Sequence, residues 1–565
     1  MKRIFIILLA MIAYVCTSAQ LCTNELPISF DPKMKSVFSS KQTIRTVTMP
    51  ALDMAKIVKQ DEEDEEYGMP PRFGYLHKVS YNLNNSGKWL TLPNGDKLWR
   101  LNVVCPNALS INFLYDKFWI PEGGKFFIYS KDKKHSIGAF TSINNKGDSI
   151  NVRGFATGLV YGNDVMLEYY QAKEVTSKAI ISIEYIVHGY RYINLEDKGF
   201  GESGDCQVNV NCSEGQEWQY EKKAVALILV NGNRYCTGSL INTTDLSQVP
   251  YFLTANHCVC DYGDAVNNPN LDFYSFYWKY ETPGCTNINV EPTPVSTSGA
   301  TIVANDSISD FALLRLTENP QLITNYTPFY LGWNRSGYSG NPGVCIHHPC
   351  GDVKKISTVN LQPQSTAYED IVMTNTGTHW MVTWKATSNG HGTTEGGSSG
   401  SPLLTAAHKV IGQLHGGFSN CYAINAPDWY GKFDVSWTGN GNTSIYRRLN
   451  CWLDSQNIGL QSVEGLWGIS HDYTIGTNQQ LYGDICINSG GRLVIQSNVE
   501  MMGNGRVIVK TGGTLLINGG KLSNVNLEMK PGSFLYIISD GVIETQNGFI
   551  APVGVSVTIN NGQIL

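Results

Sequence analysis

The sequence predicts an all-β chain built of several domains. Charged residues make up 16% of the chain, which is low for a globular protein, whereas glycine and tyrosine are plentiful, at 56 and 29 residues. Short apolar runs separated by Gly, Asn and Pro are typical of strands joined by turns. A repeat of about 20 residues after residue 466 is a third indication of β structure. The length of 565 residues and the net charge of −6 favour several domains and no dominant electrostatic partner, so we expect no nucleic-acid binding.

Residues 1–19 have the pattern of a signal peptide. Two basic residues precede an apolar run at residues 4–15, and small residues follow, so we expect cleavage before Gln20. The run is too short to span a membrane. The bulky residue before Cys16 disfavours a lipoprotein signal. Export would place the other 13 of the 14 cysteines where disulfides persist, and an odd number leaves at least one thiol free or intermolecular.

Residues 20–200 are predicted to form a compact β-rich domain. Apolar residues alternate at 109–113, and the run at 126–129 is typical of a buried strand. The acidic run at 61–66 is followed by two prolines and predicts a solvated loop.

Motifs in the middle of the chain predict a nucleophilic site. The stretch GGSSGSP places Ser399 between glycines, which would let a carbonyl group approach its hydroxyl closely. Alone, this stretch is typical of a flexible turn. Upstream, FLTANHC places His257 at the end of an apolar strand, and SDFALL places Asp310 at the start of another. The chain order is therefore histidine, aspartate, serine.

This order and these contexts resemble the chymotrypsin-like serine proteases, and more closely the secreted bacterial lysyl endopeptidases. The resemblance runs over about 260 residues through GESGDCQVNVNCSEG, CTGSL, FLTANHC, SDFALLRL, IHHP, EGGSSGSP and GQLHGG. It implies a trypsin-like protease domain of two β-barrels at residues 201–460. The β-rich domain precedes this domain, and the repeat period predicts a short β-solenoid after it, at residues 466–565. The active site would lie in the cleft between the barrels.

The resemblance also implies a role for each residue of the triad. His257 would act as the base, Asp310 would fix its tautomer, and Ser399 would attack the peptide carbonyl to give an acyl-enzyme. The backbone amides of Gly397 and Ser399 would form the oxyanion hole. Ser398 is the rival nucleophile, but the resembled motif places the nucleophile two residues before the last serine, at Ser399. We expect no cofactor, and the substrates would be proteins or peptides.

Substrate preference is expected to depend on a buried carboxylate, because an unpaired lysine ammonium is costly to bury. Thr393 occupies the trypsin-type position. The resembled enzymes instead carry the acid in an Asp-x-Tyr-Gly stretch, which Asp428 matches, with a plain surface loop as the alternative. His415 and Ser419 are also expected to bind substrate. The tryptophan that accompanies the matching histidine in that family has no evident counterpart near residues 370–372, so a preference for basic residues is better supported than one for lysine over arginine.

Cysteine pairing follows partly from the resemblance, which implies three disulfides: Cys206 with Cys421, Cys212 with Cys285, and Cys236 with Cys258. The stretch from Cys345 to Cys350 contains two adjacent histidines and invites a zinc interpretation. Adjacent histidines in a strand point to opposite sides, which disfavours one shared metal and favours a local disulfide. Metal binding is therefore not expected.

Two interpretations of residues 20–200 are open. Their place between the signal and the protease favours an inhibitory prosegment, and a carbohydrate-binding β-sandwich is the alternative. If the enzyme matures itself, the bond between Lys198 and Gly199 is the expected cleavage site, because it lies in a polar, glycine-rich stretch. In the resembled proteins the mature chain begins at the glycine that matches Gly201.

The C-terminal region is predicted to form a β-solenoid. Leu493, Leu515, Leu535 and Val557 head similar apolar stretches spaced by 22, 20 and 22 residues, as in stacked coils. Its function could be cell-surface or glycan attachment. Two function classes thus remain: a secreted serine endopeptidase that cleaves after basic residues, and a surface adhesin or glycan-binding protein with a vestigial protease domain.

Overall fold

The computed structural model describes residues 23, 25–39, 44–67, 69–191, 194–195, 199–200, 203–259, 270–287, 291–323, 326–373 and 376–565. These residues are mostly strands, so the predicted all-β class is confirmed. Within them, no helix combines the length and the apolar character that crossing a membrane requires. The predicted signal peptide, Lys198 and Gly201 lie outside the described residues, and Gly199 begins a short strand.

The N-terminal region is a β-sandwich whose sheets share one apolar core. One sheet has the order β1-β4-β10-β6-β7 with β3 beside β4, and the other has the order β2-β11-β5-β8 with β9 beside β5. The strands are β1 (Thr46–Thr48), β2 (Gly74–Asn82), β3 (Lys88–Thr91), β4 (Lys97–Val104), β5 (Ser110–Trp119), β6 (Gly124–Ser130), β7 (Ser136–Phe140), β8 (Phe155–Ala156), β9 (Val160–Tyr161), β10 (Asp164–Gln171) and β11 (Ile180–Gly189). Helices α1 (Lys35–Ser39) and α2 (Met54–Glu66) precede β2.

The prediction of a solvated loop at residues 61–66 is wrong, because this run is the last part of α2. Asp61 is buried there, with its carboxylate 2.8 Å from Arg72 Nε and 3.0 Å from Arg191 Nη2, and it also accepts a hydrogen bond from Tyr190. Since two guanidinium groups compensate the charge, the helix can turn this carboxylate inward.

The predicted barrels are a pair of largely antiparallel sheets, with β12 (Asn194–Leu195) and β13 (Gly199–Phe200) before them. The first has the order β18-β17-β14-β15-β16-β20-β19 and the second the order β24-β23-β27-β28-β29-β26-β25, with β22 and β30 at its side. The strands of the first are β14 (Val225–Val230), β15 (Arg234–Leu240), β16 (Tyr251–Ala255), β17 (Ser275–Trp278), β18 (Val295–Ser298), β19 (Ala300–Asp306) and β20 (Phe311–Leu316). A short strand, β21 (Phe329–Tyr330), leads to β22 (Gly332–Asn334), β23 (Pro342–His347), β24 (Lys355–Thr358), β25 (Gln364–Thr366), β26 (His379–Val382), β27 (Pro402–Thr405), β28 (Lys409–Gly417), β29 (Asp428–Lys432), the helices α3 (Phe433–Thr438) and α4 (Asn450–Leu453), and β30 (Ser462–Val463).

The predicted β-solenoid is confirmed. Its parallel strands are β31 (Leu466–Ile469), β32 (Asp472–Ile475), β33 (Gln479–Gln480), β34 (Asp484–Ile487), β35 (Arg492–Ile495), β36 (Glu500–Met502), β37 (Arg506–Val509), β38 (Thr514–Asn518), β39 (Lys521–Met529), β40 (Phe534–Ile538), β41 (Val542–Thr545), β42 (Ser556–Asn560) and β43 (Gln563–Ile564). Leu493 pairs with Leu515, Leu515 with Leu535, and Leu535 with Val557, so the repeat period sets the register of stacked coils.

The first coil of the solenoid is joined to the protease region by backbone pairing. Strand β21 pairs antiparallel with β31, which places Phe329 opposite Trp467. Tyr330 and Trp467 are fully buried in a core cluster that continues from the barrels into the solenoid. The two regions therefore share one apolar core.

Candidate active site

His257 and Asp310 are held together at the ends of neighbouring strands of the first sheet. His257 lies in the turn after β16, and Asp310 directly precedes β20. His257 Nδ1 lies 2.8 Å from Asp310 Oδ2, and the His257 backbone N–H donates to Asp310 Oδ1 at 3.0 Å. Because the carboxylate can only accept, the Nδ1 atom carries the proton and Nε2 is left to accept one. Asp310 has a φ of 51°, a left-handed conformation that aspartate tolerates.

Burial and charge set the protonation states of this pair. Burial alone would lower the pKa of His257, but the charge and hydrogen bond of Asp310 outweigh it, so this pKa lies above the ordinary histidine value. Burial alone would raise the pKa of Asp310, but His257 and His415 hold it below the usual range. Asp310 is therefore ionised at neutral pH and favours a proton on His257.

Ser399 comes from the second sheet and is held against the first. Its carbonyl accepts from the Thr237 backbone N–H at 2.8 Å and lies 3.8 Å from the Sγ atom of Cys258, the residue after His257. A side chain on Gly400 would lie 2.7 Å from the Ala255 nitrogen, so only glycine permits this approach. Within the described residues the Ser399 hydroxyl makes no hydrogen bond, as is common before a substrate tightens the site.

Ser398 has a structural partner instead. Its buried hydroxyl lies 2.8 Å from His347 Nδ1 and accepts from the Glu395 N–H at 3.2 Å. Burial lowers the pKa of His347 to about 3, so the ring is neutral. The Ser398 hydroxyl is thus engaged in fixing the loop that presents Ser399.

The loop also presents unpaired backbone donors. The Cys350 N–H donates to the Gly396 carbonyl at 2.6 Å, which orients the peptide between Gly396 and Gly397, and Gly397 has a φ of 93°. Neither the Gly397 N–H nor the Ser399 N–H has a hydrogen-bond partner within the part of the chain that the structure describes. Two free amide donors on one loop are what an oxyanion requires.

Asp428 is fully buried at the start of β29. Its Oδ2 atom accepts hydrogen bonds from Ser419 Oγ at 2.5 Å, Thr394 Oγ1 at 2.7 Å and Trp384 Nε1 at 2.7 Å, and its Oδ1 atom accepts from the Ser419 N–H at 3.1 Å. Burial raises the pKa of Asp428 despite these donors. Sequence reasoning missed Thr394 and Trp384, although Thr394 directly follows the trypsin-type position Thr393.

His415 lies beside the His257 and Asp310 pair. Its Nε2 atom is 3.7 Å from Asp310 Oδ2, and its ring stacks on Tyr368 with centroids 3.7 Å apart. His415 Nδ1 lies 3.0 Å from His379 Nε2. Tyr368 therefore provides the stacked aromatic partner that the sequence did not reveal, and its nearness to residues 370–372 was the available signal.

The three disulfides implied by the resemblance are present in the described residues: Cys206–Cys421, Cys212–Cys285 and Cys236–Cys258. The predicted local disulfide between Cys345 and Cys350 is wrong. Cys345 is buried in β23, 3.2 Å from Ser401 Oγ, whereas Cys350 lies in a turn with a φ of 53°, 3.9 Å from Glu395.

A segment of the N-terminal sandwich lies beside the Ser399 loop. The Tyr235 N–H donates to the Pro71 carbonyl at 3.0 Å, and Arg72 forms an antiparallel bridge with Arg234. A Cβ atom on Gly396 would lie 3.3 Å from Pro71 Cγ. The sandwich therefore reaches the loop that carries the candidate nucleophile.

A base held by an aspartate, a serine from a second sheet and two free amide donors together define a serine-protease-type site. The family model described as "Lysyl endopeptidase, C-terminal domain" matches residues 200–431. The resemblance found from the motifs is thereby confirmed for this part of the chain.

Several known proteins are similar to the chain. It is 32% identical over 250 residues to the lysyl endopeptidase of Pseudomonas aeruginosa. This aligned region covers 42% of this chain and 50% of that protein. It is 26% identical over 273 residues to the secreted RxLR effector protein 73 of Plasmopara viticola, covering 46% of this chain and 61% of that one. The chain thus spans about half the length of the first of these relatives.

Solved protease structures give weaker similarity. The serine endoprotease of Yersinia pestis matches with a TM-score of 0.26 and 16% identity, covering 40% of this chain and 65% of that one. A Mycobacterium tuberculosis protease in its active form matches with a TM-score of 0.24 and 17% identity, covering 38% and 78%. Since these scores are low, the fold assignment rests on the strand pairing described above.

Proposed function

We propose that the protein is a secreted serine endopeptidase that cleaves peptide bonds after basic residues, with lysine preferred. The observation that carries the proposal is the pairing of His257 with Asp310 next to the Ser399 loop, in which the N–H groups of Gly397 and Ser399 make no hydrogen bond to the described residues. The match of residues 200–431 to the lysyl endopeptidase family supports the same conclusion. The disulfides support an oxidising, extracellular location.

The reaction follows from the geometry of these groups. His257 Nε2 takes the proton of Ser399 as its hydroxyl attacks the carbonyl carbon, and the N–H groups of Gly397 and Ser399 stabilise the oxyanion. The imidazolium then protonates the leaving amine, which leaves an acyl-enzyme. Water, deprotonated by the same histidine, hydrolyses the acyl-enzyme and restores Ser399. Asp310 keeps the histidine in the required tautomer throughout.

Asp428 would bind the ammonium group of the substrate lysine. Its Oδ2 atom already accepts three side-chain hydrogen bonds, whereas Oδ1 accepts only the Ser419 N–H among the described residues and so has capacity for the ligand. Burial disfavours the negative charge of Asp428, and a bound cation would compensate that cost.

The N-terminal sandwich is proposed to be an inhibitory prosegment, because Pro71 lies against Gly396 in the loop of Ser399. Cleavage between Lys198 and Gly199 would separate it from the protease domain at residues 201–460. The solenoid, residues 466–565, would attach the enzyme to a surface or a glycan. The carbohydrate-binding alternative for the sandwich has no contact of this kind in its favour.

A fluorophosphonate probe and matched lysyl, arginyl and leucyl peptide substrates test the proposal. We expect the purified, processed protein to be labelled at Ser399 and to cleave the lysyl substrate fastest. Ser388→Ala, an exposed serine outside the motif, is the control and should retain both activities. Absence of labelling and cleavage would favour the vestigial adhesin.

A further inference from the structure

A cavity of about 560 Å³ lies where the protease region meets the solenoid, and its volume is typical of a small-molecule site. The solenoid contributes Tyr473 and the polar residues 477–480 to its lining. Among the described residues, the protease side contributes these lysines: Lys222, Lys223, Lys279 and Lys354.

The charge of this junction cavity is unbalanced. Among its described lining residues Glu281 is the only carboxylate, and it lies 2.8 Å from Lys222 Nζ and 3.4 Å from Lys354 Nζ. Lys223 and Lys279 make no ion pair in the part of the chain that the structure describes. Four lysines against one glutamate leave an excess of three positive charges, although the chain as a whole has a net charge of −6.

Lys223 is held in place by aromatic rings rather than by an anion. Its Nζ atom lies 4.5 Å from the ring centre of Tyr220, 5.0 Å from Trp467 and 5.7 Å from Tyr473. Burial, reinforced by the neighbouring Lys222, lowers the pKa of Lys223 to about 8. A protonated amine in such a position gains strongly from an anionic partner.

Neutral hydrogen-bonding groups surround these cations. Gln479 accepts a hydrogen bond from the Tyr220 hydroxyl at 2.6 Å, and Gln219, Asn478 and Gln480 add further amide groups to the lining. Amides both donate and accept, so they suit a ligand that carries hydroxyl groups. Tyr220, Tyr326 and Tyr473 also line the cavity, and the apolar body of an aromatic side chain can pack against the carbon atoms of a sugar ring.

We propose that the junction cavity binds an acidic sugar, with its anionic group between Lys223 and Lys279 and its hydroxyl groups on the amides of the solenoid. Neither domain forms this site alone, because the cations come from the protease region and the residues at 473 and 477–480 come from the solenoid. The site is separate from Ser399, so the proposal does not depend on proteolytic activity.

Isothermal titration calorimetry on the full chain carrying Ser399→Ala, which prevents self-cleavage, tests the proposal. Glucuronate is the probe, glucose tests the need for the charge, and acetate tests the need for the sugar. We expect glucuronate to bind at least about tenfold more tightly than either, with an affinity that falls as potassium chloride is added. Glucuronate binding no tighter than that of glucose or acetate would overturn the proposal.

Lys279→Met is the matched variant, since the exposed Lys279 side chain makes no ion pair with any residue that the structure describes. It should weaken glucuronate binding by about tenfold, and Lys223→Met should weaken it further. Lys385→Met, an exposed lysine outside the cavity, is the control and should bind glucuronate as the parent does.

In chains that retain Ser399, Lys279→Met should cleave a lysyl peptide at the parental rate. Unchanged glucuronate binding in Lys279→Met and Lys223→Met would show that the sugar binds elsewhere and would overturn the assignment.

Discussion

The two domains that flank the protease region are attached to it in different ways. The N-terminal sandwich reaches the Ser399 loop through Pro71 and packs on the first barrel in two small apolar clusters, in one of which Phe73 stacks on Tyr235 with centroids 4.7 Å apart. An ion pair of Arg153 with Asp272 adds a polar contact. The solenoid pairs its backbone with β21 and buries Trp467 in a shared core, and no strand of it pairs with the sheet that carries His257 in the described residues.

The difference teaches which attachment can be temporary. A domain that touches the catalytic loop controls substrate access, and a single cut in the chain can begin its removal. The solenoid takes β21 of the protease region into its own sheet and shares the large core cluster, so its departure would expose more large apolar side chains than that of the sandwich. We therefore expect the sandwich to act as a cover and the solenoid to remain part of the mature enzyme.

The largest expected effect is that of Ser399→Ala. Removing the nucleophile should lower kcat by roughly 10⁶-fold, and the cover should stay joined to the protease because self-cleavage after Lys198 is lost. Rate measurements on a lysyl peptide and sequencing of the amino terminus check both outcomes, in a host without lysine-directed proteases. Ser388→Ala is the control. Equal processing of Ser399→Ala and the parent would rule out self-maturation.

Asp428→Asn should lower kcat/KM for lysyl peptides by roughly 10²- to 10³-fold, because it leaves a buried ammonium without a charged partner. It should affect leucyl peptides much less. If the cover is released at Lys198, as proposed, maturation should slow in parallel. Thr393→Ala, at the trypsin-type position, should keep the preference for lysine. Retention of that preference in Asp428→Asn would show that another acid binds the substrate.

The features that the sequence predicted correctly are those that short contiguous motifs or a regular repeat encode. FLTANHC, SDFALL and GGSSGSP each carry one residue in a fixed local context, and a repeat of fixed period sets the register of Leu493 and Leu515. Contacts between distant segments leave no such pattern. Trp384 reaches Asp428 from the segment that follows β26, and Arg72 and Arg191 together neutralise Asp61. A local sequence pattern cannot show that a carboxylate will be paired with arginines from distant parts of the chain.

Trp467→Ala tests the permanent attachment. Removing a fully buried tryptophan should cost about 3–5 kcal/mol of unfolding free energy, and the protease and solenoid should melt together at a lower temperature. Differential scanning calorimetry measures this, with the 92%-exposed Ile550→Ala as control. A separate solenoid transition with an unchanged protease transition would contradict the shared core.

Lys198→Gln tests the cover. The uncut protein should hydrolyse a lysyl peptide roughly 10- to 100-fold more slowly than the mature enzyme, equivalent to about 1.4–2.7 kcal/mol of competition by the covering segment. Activity should return when the linker is cut by an added protease of different specificity at a site engineered there. Equal activity of the uncut and mature proteins would show that Pro71 does not restrict access.

The smallest expected effect is on the pH dependence of kcat/KM. The midpoint of this dependence should be the same in the uncut protein and in the mature enzyme. His257 must be neutral to accept the serine proton, and Asp310 raises its pKa above the ordinary value of 6.5, so kcat/KM should fall as the pH drops and be less than half its plateau at pH 6.5. Asp310→Asn should move the midpoint to lower pH while also lowering the rate, because the stabilising charge is lost.

The covering segment approaches Gly396 and Tyr235, and no described contact joins it to His257. Profiles of mature enzyme and Lys198→Gln should therefore share one midpoint and differ only in height. A midpoint below 6.5 in the mature enzyme would contradict the raised pKa of His257. Different midpoints in the two forms would show that the cover alters the base itself.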